Sequence, residues 1–318
     1  MKRYLPEGML LHTTRNQLYL ASRAGLQAAM ETDRILEAVV TRCDAEHNLW
    51  VDLGGCPGQI PREEVALGIA EGATREIAIL SRVGRPVAFQ IDALDLSGAV
   101  PYIRLSRRRV QQRAWAYFME TLQPGMVIPA VVTHTEPFGV FVDIGCGVVS
   151  MIRIEQISIS RITHPKERFS PGDRIFAVVT SVDPACCRIF LSHRELLGTW
   201  SENAAAFQAG ETVSGIVQGT REYGSFVELA PNLSGLAEPV FDVSDGDWVS
   251  VYIKSILPEQ CKIKLLIIDR VPATGKRPPI RYFITEGRLH HWVYRPALGH
   301  RPAIETVFDN EPSSTAAP

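Results

Sequence analysis

Pro137-Phe138-Gly139-Val140-Phe141-Val142-Asp143-Ile144-Gly145 reads as a strand with a large ring in its polar phase. Side chains alternate faces along a strand, so Val140, Val142 and Ile144 point to a core while Phe141 shares the other face with Asp143. That ring is expected to face solvent. The arrangement recurs in Leu49-Trp50-Val51-Asp52-Leu53 and in Ser225-Phe226-Val227-Glu228-Leu229. Two of the three runs follow a further aromatic and a glycine, Phe138-Gly139 and Tyr223-Gly224, where a glycine bulge would turn both rings to one side. Paired exposed rings on a small barrel make a stacking platform for unpaired bases.

Working outward, each aromatic run is followed by a loop and then a strand launched from glycine: Gly84 to Ile91, Gly172 to Val178 and Gly246 to Ile253. A closing strand comes after each, at Tyr102 to Ser106, Arg188 to Ser192 and Lys262 to Leu265. An opening strand precedes two of the aromatic runs, from Gly125 and from Gly210. Self-similarity at this period marks an array of small domains. Five short strands per unit, with a longer connection before the fourth, predict a five-stranded barrel of the oligonucleotide-binding (OB-fold) type.

Between barrels the apolar period changes from two to about 3.6. Val110, Ala114, Phe118 and Leu122 form one helical stripe and leave Arg109 and Arg113 elsewhere, while Leu197, Trp200, Ala204 and Phe207 predict a second helix that Gly210 ends. Thr14 to Met30 reads as a helix capped by Thr14. Ile280 to Thr285 and Arg288 to Tyr294 flank Glu286-Gly287 as a predicted hairpin, and Asn310 to Pro318 has the composition of a disordered end. The chain is thus expected to be mainly β, with three tandem five-stranded barrels joined by short α-helices. Its expected divisions are a helical segment at 1–30, barrels at 31–106, 123–193 and 210–270, helical linkers at 107–122 and 194–209, and a C-terminal hairpin and tail at 271–318.

A net charge of −2 over 318 residues argues against nucleic-acid binding by bulk attraction, so any grip must be local. Basic residues gather at Arg107-Arg108-Arg109 and Arg113, at Arg161, Lys166 and Arg168, and in a tail with Lys276, Arg277, Arg281, Arg288, Arg295 and Arg301. The run at Arg107 to Arg109 is open to two readings, a solvated helix face or phosphate contacts. Carboxylates crowd the first unit (Glu37, Asp44, Glu63, Glu64) and the third (Glu211, Glu228, Glu238, Asp242, Asp247). Six cysteines without a CxxC pair read as reduced, mostly structural thiols. No run has the apolar length of a membrane span, and the basic start lacks the apolar stretch of a secretory signal, so a cytoplasmic protein is expected.

The stretch Pro137 to Gly145, joined to Gly172-Asp173, to Val182-Asp183 and to Arg188-Ile189-Phe190-Leu191-Ser192, resembles the RNA-binding repeat of the bacterial ribosomal protein S-one family. Three such repeats would cover most of residues 31 to 270. The resemblance implies contacts to single-stranded RNA from Phe138, Phe141, Asp183 and Arg188, with Arg153 where the family has histidine. Arginine can contact phosphate or stack on a base, so that departure keeps the chemistry. In the third repeat the resemblance keeps Tyr223 and Phe226 and puts Lys262 at the arginine. It also puts Glu238 at the histidine and Leu257 at the aspartate. In the first, His47 and Trp50 take the aromatic positions, Asn48 replaces glycine and Pro61 falls at the histidine, which implies a docking or structural module. A carboxylate beside a phosphate path repels what the lysines attract, so the second repeat is the leading RNA site.

Other motifs do not build a site in the sequence. Gly275-Lys276 lacks the upstream glycine of a phosphate loop, and Gly145-Cys146-Gly147 lacks the helix that a dinucleotide fingerprint needs. His290-His291 would point opposite ways on a strand, which suits a solvated hairpin better than a metal. Without a metalloprotease motif, a nucleophile elbow or clustered carboxylates, the expectation is a non-enzyme with no cofactor and no small-molecule substrate. The expected partner is single-stranded RNA, in particular mRNA at the small ribosomal subunit. The alternative is an adaptor whose first and third repeats bind protein, and a nuclease reading would need a carboxylate cluster around a metal.

Overall fold

The computed structural model describes residues 4–95, 97, 101–239, 242–272 and 280–309. Three closed five-stranded barrels dominate it. The first holds β1 (Leu36–Cys43), β2 (Leu49–Asp52), β3 (Pro57–Ile60), β4 (Pro86–Asp95) and β5 (Tyr102–Ser106) in the order β1-β2-β3-β5-β4. The second holds β6 (Val127–Glu136), β7 (Gly139–Gly145), β8 (Val148–Arg153), β9 (Arg174–Asp183) and β10 (Arg188–Ser192). The third holds β11 (Thr212–Arg221), β12 (Gly224–Ala230), β13 (Leu233–Ala237), β14 (Trp248–Leu257) and β15 (Lys262–Arg270). In each, the third strand pairs in parallel with the fifth, which closes the barrel and leaves no open edge. The opening strand β1 of the first repeat, which the sequence pattern marked only in the other two, completes the symmetry.

One compact unit takes in residues 4–122 with 129–131 and 143–150. Its core is the inward aliphatic phase of the first barrel, Leu36, Val40, Leu49, Val51, Phe89 and Leu105 among others. The N-terminal helix is broken into α1 (Thr14–Leu20) and α2 (Arg23–Glu31), capped by Thr13 and Ser22 rather than by Thr14. Ser22 Oγ accepts the Gly25 N–H at 3.0 Å, and a Cβ at Gly25 would lie 2.5 Å from the Tyr19 carbonyl oxygen, so the break depends on a cap and a bare backbone. The helix α4 (Arg108–Thr121) buries Val110, Ala114 and Phe118, and Leu122 after it, as its stripe predicts.

Arg107 fits neither reading, whereas Arg108 and Arg109 are half-buried in ion pairs. Arg107 is 2% exposed and grips both oxygens of Glu7, Arg108 pairs with Glu64 at 2.7 Å, and Arg109 pairs with Asp92 at 2.9 Å. Arg113 pairs with Asp33. Asp143, expected on an open face, is 3% exposed and accepts the N–H groups of Glu7, Gly145 and Gly147. Burial first, and then the neighbouring Glu7 carboxylate, push its carboxyl up to about 7.

The other unit takes in residues 123–128, 132–142 and 151–309 of the described chain. The predicted helix from Leu197 to Phe207 is a 3-10 turn at Arg194–Leu197 followed by the short α5 (Trp200–Ala204). Gly198 at φ +81° separates them, and Thr199 restarts the helix through a capping box with Glu202, so α5 ends well before Gly210. The C-terminal hairpin exists with different strands: β16 (His291–Arg295) pairs with β17 (Ile304–Val307). Residues 280–290 are instead drawn into other contacts. Tyr282 meets Phe176 and His193 edge-on, donates or accepts at His193 Nε2 over 2.9 Å, and Arg288 bridges Met126. Lys276, Arg277 and the stretch Asn310 to Pro318 lie outside the described residues. All six cysteines are free, but only Cys146 is buried; Cys186 and Cys187 are exposed at the β9–β10 turn. Among the described residues no helix is long and apolar enough to cross a membrane.

Candidate nucleic-acid interface

The β6–β7 turn and the start of β7 place the ring pair of the second barrel. Phe138 is 56% exposed, Phe141 is half-buried, and the rings meet edge to face at 6.1 Å and 84°. Gly139 is required between them. A Cβ there would lie 2.6 Å from the Ile152 carbonyl oxygen, and the equivalent Gly224 in the third barrel, at φ +144°, leaves only 2.2 Å to the Ala237 oxygen. The glycines therefore serve close strand approach. The bulge predicted beside them lies on the preceding strand instead, between Val217 and Gly219 in the third barrel and between Val40 and Arg42 in the first.

Arg153 ends β8 at the Phe138 end of the sheet. The Ile154 N–H donates to the Phe138 carbonyl at 3.0 Å, and the Arg153 side chain is exposed. Arg188, also exposed, begins β10 directly opposite Asp183 at the end of β9. Phe190 on β10 pairs with Met151 on β8 in parallel, so Arg153 and Arg188 lie on opposite sides of that row, about 13 Å apart along the strand direction. Asp183 Oδ1 accepts the Cys186 N–H at 3.0 Å. That bond, before the nearby Arg188 charge, holds its carboxyl below the usual range. Asp183 thus fixes the turn that launches Arg188. Asp183 also keeps a negative charge beside it.

In the third barrel Tyr223 is 63% and Phe226 39% exposed, and they repeat the edge-to-face contact at 6.3 Å and 89°. Lys262 is exposed opposite Leu257, and Lys264, which the sequence reading passed over, is exposed opposite Leu236. Glu238 holds Lys254 at 2.6 Å. Glu228, counted among the acidic excess, does not face an open path: it is 6% exposed and bound by Arg168 at 2.6 Å. In the first barrel Trp50 Nε1 donates to Asp44 at 2.8 Å, the Arg42 guanidinium lies 4.4 Å above the indole, and His47 sits in a turn at φ +64° near Glu76.

His134 is a further member of the second site. Its imidazole is exposed and lies flat on Phe141, centroids 4.3 Å apart and planes 8° apart. Seven residues separate the two in sequence, and only the register across the β6–β7 turn makes them neighbours. Among the described residues no group of three or more histidine, cysteine or carboxylate side chains could hold a metal.

Residues 121–194, which span β6 to β10, match the family profile described as S1 RNA binding domain. Relatives include the small ribosomal subunit protein bS1 of Leuconostoc lactis, 28% identical over 270 residues, which covers 78% of this chain and 61% of that one. The same-named protein of Chlamydia muridarum is 30% identical over 178 residues, 52% of this chain and 31% of that one. This chain therefore spans between about a third and three fifths of those relatives. A solved multidomain protein with nucleic acid binding domains from Streptococcus pneumoniae covers 75% of this chain and is itself covered over 74% of its length. The two share 14% identity, with a TM-score of 0.26.

Proposed function

The chain belongs to the family of S1 RNA-binding-repeat proteins, and from that premise we propose a non-enzymatic binder of single-stranded RNA, acting in the cytoplasm on mRNA at the small ribosomal subunit. The observation that carries this reading is the ring pair of exposed Phe138 and half-buried Phe141, with exposed Arg153 at the Phe138 end of the sheet and exposed Arg188 about 13 Å from it along the strand direction. Bases stack on the rings, because every base has a π-face, and the arginines take phosphates or base edges. Asp183 orients the Arg188 turn. Tyr223, Phe226 and Lys262 offer a second, weaker platform in the third barrel. The relatives' name, small ribosomal subunit protein, supports the ribosomal setting. Stacking and phosphate contacts call for no cofactor and no small-molecule substrate.

The test is titration of a labelled single-stranded RNA into the intact protein and into Phe138→Ala/Phe141→Ala. With stacking worth about 1 to 3 kcal/mol per base, the double variant should bind at least about tenfold more weakly with an unchanged circular dichroism spectrum. Equal affinity would place any RNA elsewhere. Cosedimentation with small ribosomal subunits, with and without mRNA, tests the setting.

A second reading, an adaptor whose first and third barrels bind protein, draws on Trp50 being tied to Asp44 and on Glu238 occupying Lys254. RNA binding that depends on the second barrel alone, together with subunit binding that survives Phe138→Ala/Phe141→Ala, would favour it.

A further inference from the structure

Each barrel sets its platform aromatic in a row that runs across the strands on the outer surface. In the first barrel the row is Arg42, Trp50, Gln59 and Arg104, from β1, β2, β3 and β5. In the third it is Gly219, Phe226, Leu236 and Lys264, from the corresponding strands. In the second, His134 lies against Phe141, and Met151 faces Phe190. The first and third rows both begin just after a bulge in the opening strand, which aims that strand's residue at the aromatic.

The opening-strand residue differs in kind among the barrels. Arg42 lays its guanidinium over Trp50, His134 lays a ring on Phe141, and Gly219 offers Phe226 nothing. A base cannot enter between two rings whose centroids are 4.3 Å apart, so on that side of Phe141 the surface presented to RNA is the imidazole. His134 is exposed, and its Nδ1 lies 3.1 Å from Thr133 Oγ1, which steadies the ring. Its Nε2 hydrogen-bonds to no described residue and can meet a base edge.

We propose that His134 is itself an RNA-contacting residue, the outer ring of a two-ring stack with Phe141 that extends the platform by one base. The proposal rests on the RNA reading of the second barrel. It assigns the base to a position on the opening strand, apart from the Phe138, Phe141, Arg153, Asp183 and Arg188 set.

The experiment uses the full chain and a labelled single-stranded 12-nucleotide RNA, with anisotropy as the readout. Four proteins are compared: the native one, His134→Gln, His134→Phe and Phe138→Ala/Phe141→Ala. Loss of one stacked base should weaken binding by about five- to tenfold in His134→Gln, which keeps hydrogen-bonding capacity and removes the ring. His134→Phe, which keeps the ring, should stay within about twofold of the native protein. If His134→Gln binds like the native protein while Phe138→Ala/Phe141→Ala is weakened, the imidazole only props Phe141 and the proposal fails with the RNA reading intact. If His134→Phe is weakened as much as His134→Gln, stacking is not the contact and the proposal fails. If neither His134→Gln nor the double phenylalanine variant changes affinity, the RNA reading of this barrel fails, and the proposal falls with it. Because His134 is exposed, loss of fold is not expected, and circular dichroism of each variant checks this.

Discussion

Arg107 and Glu7 form a bidentate ion pair inside the protein, with Nε donating to Oε1 at 2.6 Å and the terminal NH2 nitrogen to Oε2 at 2.9 Å. Both side chains are almost fully buried, at 2% and 6% exposure. Arg107 also donates to the Val65 carbonyl at 2.9 Å, and Glu7 Oε1 accepts the Ala88 N–H at 3.0 Å. The pair thus joins the N-terminal segment, the first barrel and the head of α4. The attraction of Arg107 keeps the Glu7 carboxyl below its usual range, although burial alone, the largest influence, works the other way.

Removing one partner strands the other charge in a buried site. Glu7→Ala should therefore destabilise the unit containing the first barrel by about 3 to 5 kcal/mol, whereas a surface pair is worth under about 1. Denaturant unfolding followed by tryptophan fluorescence, to which Trp50 and Trp115 of this unit contribute alongside Trp200, Trp248 and Trp292, measures it, and a change below about 1 kcal/mol would contradict the buried geometry.

Glu37 gives the same unit a pH dependence. Its Oε2 accepts the N–H groups of Gly8, Leu10 and Leu11 at 2.9, 3.0 and 2.9 Å, while Oε1 has no partner. Burial, and next the neighbouring Glu7 charge, raise its carboxyl from 4.5 to about 7 against those three bonds. The folded form therefore holds the proton more tightly than the unfolded chain. Its contribution is fully present below about pH 4.5, is lost as pH climbs to about 7, and is flat above. Glu37→Gln, which cannot ionise, should gain about 3 kcal/mol relative to the native protein between those limits. Unfolding free energies of the two proteins at several pH values test the sign; a difference that shrinks as pH rises would refute it.

Gly139→Ala and Gly224→Ala should both destabilise, since the new methyl meets a carbonyl oxygen at 2.6 or 2.2 Å and the strands must part. Overpacking of this kind costs about 1 to 3 kcal/mol. At Gly139 the opening would also shift Phe138 against Arg153. Thermal unfolding of each variant is the measurement, and an unchanged midpoint at Gly224, where φ is +144° as well, would be the clearest contradiction.

The two ring pairs should contribute unequally to RNA affinity. Phe226 has Gly219 where Phe141 has His134, and Glu238 stands at the position of Arg153. Tyr223→Ala/Phe226→Ala is expected to weaken binding by about threefold, against at least about tenfold for Phe138→Ala/Phe141→Ala. Equal losses would show that Glu238, neutralised by Lys254, does not oppose the RNA. Both affinities should fall only moderately with salt, because few phosphates are neutralised and each contributes about 0.7 logarithmic units per tenfold rise.

The barrels were legible because their signal is local. Alternation in Val140 to Ile144, glycine-launched strands and the resemblance to a known repeat are all contained in short windows, and the apolar stripe of α4 is a single periodicity. Where local rules compete, the reading erred by a few residues. Ser22 and Thr199 are caps that split helices the periodicity alone ran together, and two prolines, Pro296 and Pro302, leave β16 and β17 on either side of a longer loop than Glu286-Gly287 offers.

Strand alternation depends only on neighbours in the chain, so the residues alone place five-stranded β-barrels here with aromatic side chains set outward at Phe138, Phe141, Tyr223 and Phe226. Tertiary structure alone decided which charges are available. Arg107, Asp143, Arg168 and Glu228 look like surface residues in a linear reading, and each is buried against a partner far along the chain. It also decided that His134 covers Phe141 and Arg42 covers Trp50, because a cross-strand neighbour is set by register and bulge, and a one-residue slip would put a different side chain there.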